Sequence, residues 1–202
     1  MGCCLPSSHS IETRGGKVQG TRIFITGYGP FGKVKDNPSA WLAERLGEDF
    51  ELLEVSYADA ERFLASFDPG KYDALLCIGV HGGIDKMHLE RFGANRRGAL
   101  LDVRGVRGRG AIDSSGPTKL ASSLWPRKLP KSFGARDRVK MSRSAGSYLC
   151  NYLLYRSLQE FPQLKVGFLH VPLQKRMALE DQLACAKLIL EMVRSSEADT
   201  AG

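Results

Sequence analysis

Asp73-Ala-Leu-Leu-Cys-Ile-Gly-Val80 is the stretch on which the fold turns. From Ala74 onward it is apolar without alternation, as a strand buried on both faces of a sheet requires. Working outward, Arg22-Ile-Phe-Ile-Thr26 reads as a first strand and Phe50 to Val55 as a second. Between them Asn37-Pro-Ser39 starts a helix, with Asn37 as N-cap and Pro38 in the first turn, where a missing N–H does no harm. Trp41, Leu42 and Leu46 supply its buried side, and Ala58 to Phe67 reads as a second helix. Downstream, Arg138 to Met141 and Leu164 to Val171 read as strands, followed by helices at Tyr148–Leu158 and Leu179–Val193. This order predicts an α/β fold, a three-layer α/β/α sandwich with a mostly parallel twisted sheet. The pattern lapses between Arg97 and Lys131, which is Gly-rich early and interrupted by Pro126 and Pro130. A short helix near Leu120 and a mobile loop are expected there.

The 202 residues suit one domain with a sizeable core, expected over 21–196 between disordered tails at 1–20 and 197–202. A content of 43% hydrophobic and 25% charged residues is ordinary for a soluble protein. No apolar run approaches the roughly 20 residues that span a bilayer, and no secretory signal is visible, so no membrane association is expected. The five cysteines, with no CxxC, suggest free thiols in a reducing compartment, and a cytoplasmic protein is the default. Met-Gly-Cys-Cys invites a lipidation reading at Gly2 and Cys3 or Cys4, but Pro6 stands where the myristoylation pattern wants Ser or Thr.

The net charge of +7 is concentrated. Residues 91–140 hold thirteen Lys and Arg against three Asp and Glu, and Arg91 to Arg109 contains six arginines opposed by Asp102 alone. Such a strip suits phosphates or acidic peptides, or simply a solvated loop. No aromatic residue interleaves Arg96 to Arg109, which argues against single-stranded nucleic acid as a partner.

In open α/β sheets ligands gather beyond the carboxyl ends of the strands, and four segments are expected near that edge. Thr26-Gly-Tyr-Gly-Pro-Phe-Gly32 brings Tyr28 and Phe31; its glycines do not fit a dinucleotide fingerprint, and Pro30 removes a donor. Gly79-Val-His-Gly-Gly83 leads into Met87-His-Leu-Glu-Arg91 and so to Glu90. Cys150 stands in Ser144-Ala-Gly-Ser-Tyr-Leu-Cys-Asn151, at a Gly/Ser turn entering a helix. His170 closes the strand Val166-Gly-Phe-Leu-His-Val-Pro172. A helix start favours thiolate, and a strand end holds an imidazole still, so one cleft is expected to receive an aromatic pair, a carboxylate, a thiol and an imidazole. His81 and His88 lack the spacing of a metal motif, and no metal or other cofactor is expected. Cys77 and Cys185 read as core residues.

These segments together resemble pyroglutamyl-peptidase I, the cysteine peptidases that remove N-terminal pyroglutamate, from about Thr21 to Val193. The Ala-Gly-x-x-x-Cys and His-x-Pro pieces, Leu89-Glu90-Arg91 and the Tyr28–Phe31 turn with its downstream Asn-Pro-Ser carry the likeness. The resemblance implies a thiol protease acting on N-terminally pyroglutamylated peptides, with Cys150, His170 and Glu90 as catalytic residues. Tyr28, Phe31, His81 and Gly82 are the expected substrate-binding residues. It leaves both monomers and oligomers open. Departures are Tyr28 where the family commonly has Phe, Lys33 where it has Gly, a short Val80-His-Gly-Gly83 turn, and the prolines and arginines between Arg91 and Lys140. The competing expectations are the same triad on another small acyl-amide, and a non-enzymatic module binding RNA or another polyanion through 91–140.

Overall fold

β3 (Ala74–Val80) lies inside a six-stranded sheet, and its unbroken apolar run divides by alternation. Leu75 and Cys77 enter one core, while Leu76 and Ile78 enter the other. The remaining elements of a computed structural model, which describes residues 20–198, are built around it. In chain order they are β1 (Ile23–Tyr28), α1 (Pro38–Ala43), β2 (Asp49–Leu53), α2 (Tyr57–Ser66), then β3, β4 (Met87–Glu90), β5 (Phe92–Ala94) and β6 (Lys119–Ala121). β7 (Val139–Ser142), α3 (Leu149–Glu160), β8 (Lys165–Val171) and α4 (Leu179–Ala198) complete it. The main sheet runs β2-β1-β3-β8-β4-β7, and β5 and β6 form a separate antiparallel pair.

Four strands, β2, β1, β3 and β8, are mutually parallel. β4 lies antiparallel to β8, and β7 is parallel to β4, so this edge of the sheet is reversed. The sheet is therefore mixed but mostly parallel, with helices on it, the expected α/β class. Phe63, Leu153, Leu154, Val166 and Phe168 fill the core on the α2 and α3 face, and Leu42, Leu169, Val171, Ile189 and Val193 the core on the α1 and α4 face. Each such side chain, fully buried, contributes about 1.5–3 kcal/mol.

Local chemistry fixes the entries. The Asn37 side chain accepts from the Ser39 N–H at 3.1 Å, and the Ser56 hydroxyl accepts from the Asp59 N–H at 3.1 Å. The segment after β5 departs from expectation. No helix forms near Leu120, which instead lies in β6 opposite Gly93. The expected loop is tied down: the buried Asp102 carboxylate accepts from the N–H groups of Tyr57, Arg104 and Val106 at 3.0, 2.9 and 2.8 Å. Asn95 likewise joins Ile112, Asp113 and Gly116. α4 continues to Ala198, past the boundary expected at 196. The Met-Gly-Cys-Cys start and most of the tail 1–20 lie outside the described residues. Among the described residues no helix is long and apolar enough to cross a membrane.

Candidate active site

Cys150 is carried on the first turn of α3, directly after the Ser/Gly turn. Tyr148, the N-cap, offers no side-chain hydrogen bond to the helix, so no side-chain cap claims the first-turn N–H groups beside the thiol. The positive end of the helix dipole lies beside Cys150. Asn151, fully buried, fixes the turn. Its Oδ1 accepts from the Ala94 N–H at 2.8 Å, and its Nδ2 donates to the carbonyls of Ala94 and Arg96 at 2.8 and 3.0 Å.

Opposite the thiol stands Gly79, which pairs with His170 across β3 and β8. A Cβ there would lie 3.1 Å from Cys150 Sγ and 2.7 Å from Phe168 Cζ, so a side chain has no room. His170 is 2% exposed, lines the same cavity as Cys150 and has Glu90 as a side-chain hydrogen-bond partner. Its Nδ1 is 2.8 Å from Glu90 Oε1. Burial pulls the imidazole pKa down, but the charge and hydrogen bond of Cys150 and those of Glu90 outweigh it and hold it at about 9. Burial pushes the Cys77 thiol up to about 12.

Glu90 reaches His170 by an unexpected route. It does not join the carboxyl-end cleft, because β4 runs against β8 and sets Glu90 opposite Phe168, two residues before His170. The carboxylate reaches the ring diagonally from behind, 1% exposed, with Oε2 lacking a hydrogen-bond partner among the described residues. His88, in register with His170, keeps its Nδ1 3.8 Å from the same Glu90 Oε1. Burial, then the Lys140 charge, push its pKa down to about 4.

In front of the thiol opens a cavity of about 360 Å³ lined by Tyr28, Phe31, His81, Gly82, Cys150 and His170, with Leu100 contributed by the segment after β5. Tyr28 is 3% exposed, and its hydroxyl donates to the Leu149 carbonyl at 3.4 Å. Asn37 Nδ2 donates to the Gly29 carbonyl at 2.9 Å and holds the aromatic turn in shape. His81 Nδ1 accepts from the Gly83 N–H at 3.1 Å, which puts the proton of a neutral ring on Nε2. Its ring is edge-on to His170, 5.4 Å between centroids. Burial and the neighbouring His170 both lower the His81 pKa. Six of the seven expected site residues thus line one cavity, and Glu90 supports it from behind.

The arginine strip has mostly intramolecular employment. Arg104 pairs with Glu54, Arg97 and Arg107 donate to the carbonyls of Ala111 and Ala99, Arg136 to those of Leu129 and Pro130, and Arg138 pairs with Asp181. Gly79 and Asn151 were not singled out as site residues. A glycine interrupting an apolar strand just before a His-Gly-Gly turn is the one signal that marks Gly79. Among the described residues no cluster of three His, Cys, Asp or Glu is placed to hold a metal.

The pyroglutamyl peptidase profile matches residues 21–196. The chain belongs to the pyroglutamyl peptidase family. As a member it is an enzyme of the cysteine omega-peptidase type. It is 28% identical to a pyrrolidone-carboxylate peptidase of Streptococcus pneumoniae over 199 residues, 87% of this chain and 89% of the relative. It is also 28% identical to that of Oceanobacillus iheyensis, over 80% of this chain and 89% of the relative. Among solved structures, a mutant pyrrolidone carboxyl peptidase from Pyrococcus furiosus superposes with a TM-score of 0.77 at 26% identity, covering 88% of this chain and 99% of that one. The pyroglutamyl peptidase I of Bacillus amyloliquefaciens, at 22% identity, shares the fold with a TM-score of 0.75 over 85% of this chain and 93% of its own.

Proposed function

We propose that this family member removes pyroglutamate from peptide N-termini with Cys150 as nucleophile, His170 as general base and acid, and Glu90 as the carboxylate that orients the imidazole. The observation that carries this reading is one imidazole joined to a carboxylate at 2.8 Å through Nδ1 and lining one cavity together with the Cys150 thiol. Glu90 fixes the tautomer and stabilises the imidazolium. The Cys150 thiolate attacks the carbonyl carbon of the pyroglutamyl–X amide, and the C–S bond forms as the carbonyl π electrons move to oxygen. First-turn N–H groups of α3 serve as oxyanion donors, each worth about 100- to 1,000-fold in rate. The oxyanion collapses, the C–N bond breaks, and the leaving amine takes the proton from His170. Water, deprotonated by His170, then attacks the thioester and returns the thiol with free pyroglutamate.

The cavity suits a flat lactam without a charged amine. Tyr28 and Phe31 supply walls, His81 and Gly82 close the side, and among the described residues no carboxylate lines the cavity to attract an ammonium. Cys77, Cys150 and Cys185 are free thiols, which supports a reducing compartment such as the cytoplasm. The test uses one peptide bearing either pyroglutamate or free glutamine at its N-terminus, with the newly freed amino group of the second residue as the readout. Only the pyroglutamyl form should be cleaved, and Cys150→Ala should abolish the activity. Equal cleavage of both forms sinks the pocket, and undiminished turnover by Cys150→Ala sinks the nucleophile.

A further inference from the structure

A cleft of about 740 Å³ opens between residues 33–36 and residues 173–175. It is lined by Lys33, Lys35 and Lys175, with Asp36 its single acid. Unlike most of the strip arginines, these three lysines form no ion pair or hydrogen bond among the described residues, and all are exposed. Both walls of the cleft are continuations of the walls of the reactive cavity. On one side Phe31, which lines the cavity, exchanges two backbone hydrogen bonds with Val34, at 3.0 and 2.8 Å, so the lysine-bearing turn hangs from the aromatic wall. Gly32 takes φ +51 to close that turn, leaving Lys33 to project from it. On the other side His81 donates to the Val171 carbonyl at 2.9 Å, and Leu173 Cδ1 would be 3.5 Å from a Cβ placed at Gly82.

A peptide whose lactam sits against Tyr28 and Phe31 must leave the cavity past one of its rims. The rim made of Phe31, His81 and Gly82 leads to unneutralised positive charge. We propose that this cleft receives the downstream part of the substrate and selects pyroglutamyl peptides that carry acidic side chains after the scissile bond. The inference rests on the pyroglutamyl peptidase activity proposed above and adds to it the class of peptide preferred. Three ammonium groups against one carboxylate steer anions toward the cleft, an effect that raises association rates by about 10- to 1,000-fold at low ionic strength. Lys33 is central because it stands on the turn that hangs from Phe31, the aromatic wall of the cavity.

The experiment compares kcat/KM for pyroglutamyl-Ala-Glu-Glu amide and pyroglutamyl-Ala-Lys-Lys amide, with a small fluorogenic pyroglutamyl amide as the uncharged reference. In dilute buffer the acidic peptide should be favoured at least about tenfold, and the preference should shrink in about 0.5 M salt as screening shortens the reach of the lysines. The triple variant Lys33→Glu, Lys35→Glu, Lys175→Glu should reverse the preference while cleaving the fluorogenic amide as the parent does. Equal cleavage of the two peptides in dilute buffer, with the fluorogenic amide turned over normally, overturns the cleft's role and leaves the activity standing. A preference unchanged in the triple variant overturns it too. Failure to cleave the fluorogenic amide would remove the activity itself, and this inference with it.

Discussion

β8 and β4 lie side by side, and each presents a buried imidazole at the same register position, His170 opposite His88. One is held protonated to about 9; the other is pushed down to about 4. Burial lowers both, so desolvation does not separate them. Contact does. His170 has Glu90 at 2.8 Å and feels the charge of Cys150, whereas His88 stays 3.8 Å from Glu90, feels Lys140, and has no partner for Nε2 among the described residues. The difference teaches that a strand histidine acquires chemistry from what its two nitrogens touch. It also explains the use of a reversed strand. β4 sends Glu90 in beside His170 from behind, leaving the cavity face for substrate.

Short of removing the nucleophile, the largest expected effect comes from removing the shared carboxylate charge. Glu90→Gln keeps the shape of the side chain and loses the anion that favours imidazolium. Turnover should fall on the order of 100-fold, within the range that positioned acid–base groups contribute. The pH profile sharpens the test. In the proposed mechanism His170 must be protonated to release the leaving amine, so the parent rate should fall as pH rises through about 9. Losing an adjacent opposite charge lowers that pKa, and the alkaline limb of kcat/KM should move down by about 1–3 pH units. An unmoved limb would show that Glu90 does not set the state of the ring.

Much of the fold could be read from the chain because its signals are local. The unbroken apolar run from Ala74 to Val80, the Asn37-Pro38 helix start and the apolar segment ending at His170 each carry their own period or cap. β4, β5 and β6 could not be read in this way. They have only four, three and three residues, and β6 exists through its pairing with β5 rather than through its own pattern. The stretch from Arg97 to Lys131 looked loose because its glycines and prolines are visible, while the Asp102 and Asn95 hydrogen bonds that organise its first half join residues distant in sequence. The site divides likewise. Tyr28, Phe31, His81, Gly82, Cys150 and His170 follow from strand ends and a helix start. The direction from which Glu90 arrives depends on strand polarity, which no single segment encodes.

A middle-sized effect is expected at Gly79, where the comparison is one of space. The Cβ of Gly79→Ala would press Phe168 at 2.7 Å and the reactive sulfur at 3.1 Å. Overpacking of this kind costs about 1–3 kcal/mol, measurable as a lower unfolding midpoint in urea. Displacing sulfur relative to the imidazole should also lower kcat more than KM changes, by about tenfold, since a shift approaching 1 Å costs up to about 100-fold. A variant of parental stability and rate would mean the glycine is not there to clear the thiol.

The smallest effect is expected at His88, and its smallness is the informative part. With its pKa pushed down to about 4, His88 is neutral near pH 7 and above, so His88→Asn removes no charge from the neighbourhood of His170 there. Its Nε2 has no hydrogen-bond partner among the described residues, so the change strands no group on a neighbouring residue that was bonded to Nε2. The alkaline limb should therefore stay near about 9, with only a modest loss of stability from the vacated ring volume. A limb that moves as far as in Glu90→Gln would place both imidazoles in one titrating unit with Glu90. Then the contrast between 2.8 and 3.8 Å would not be what separates the two rings.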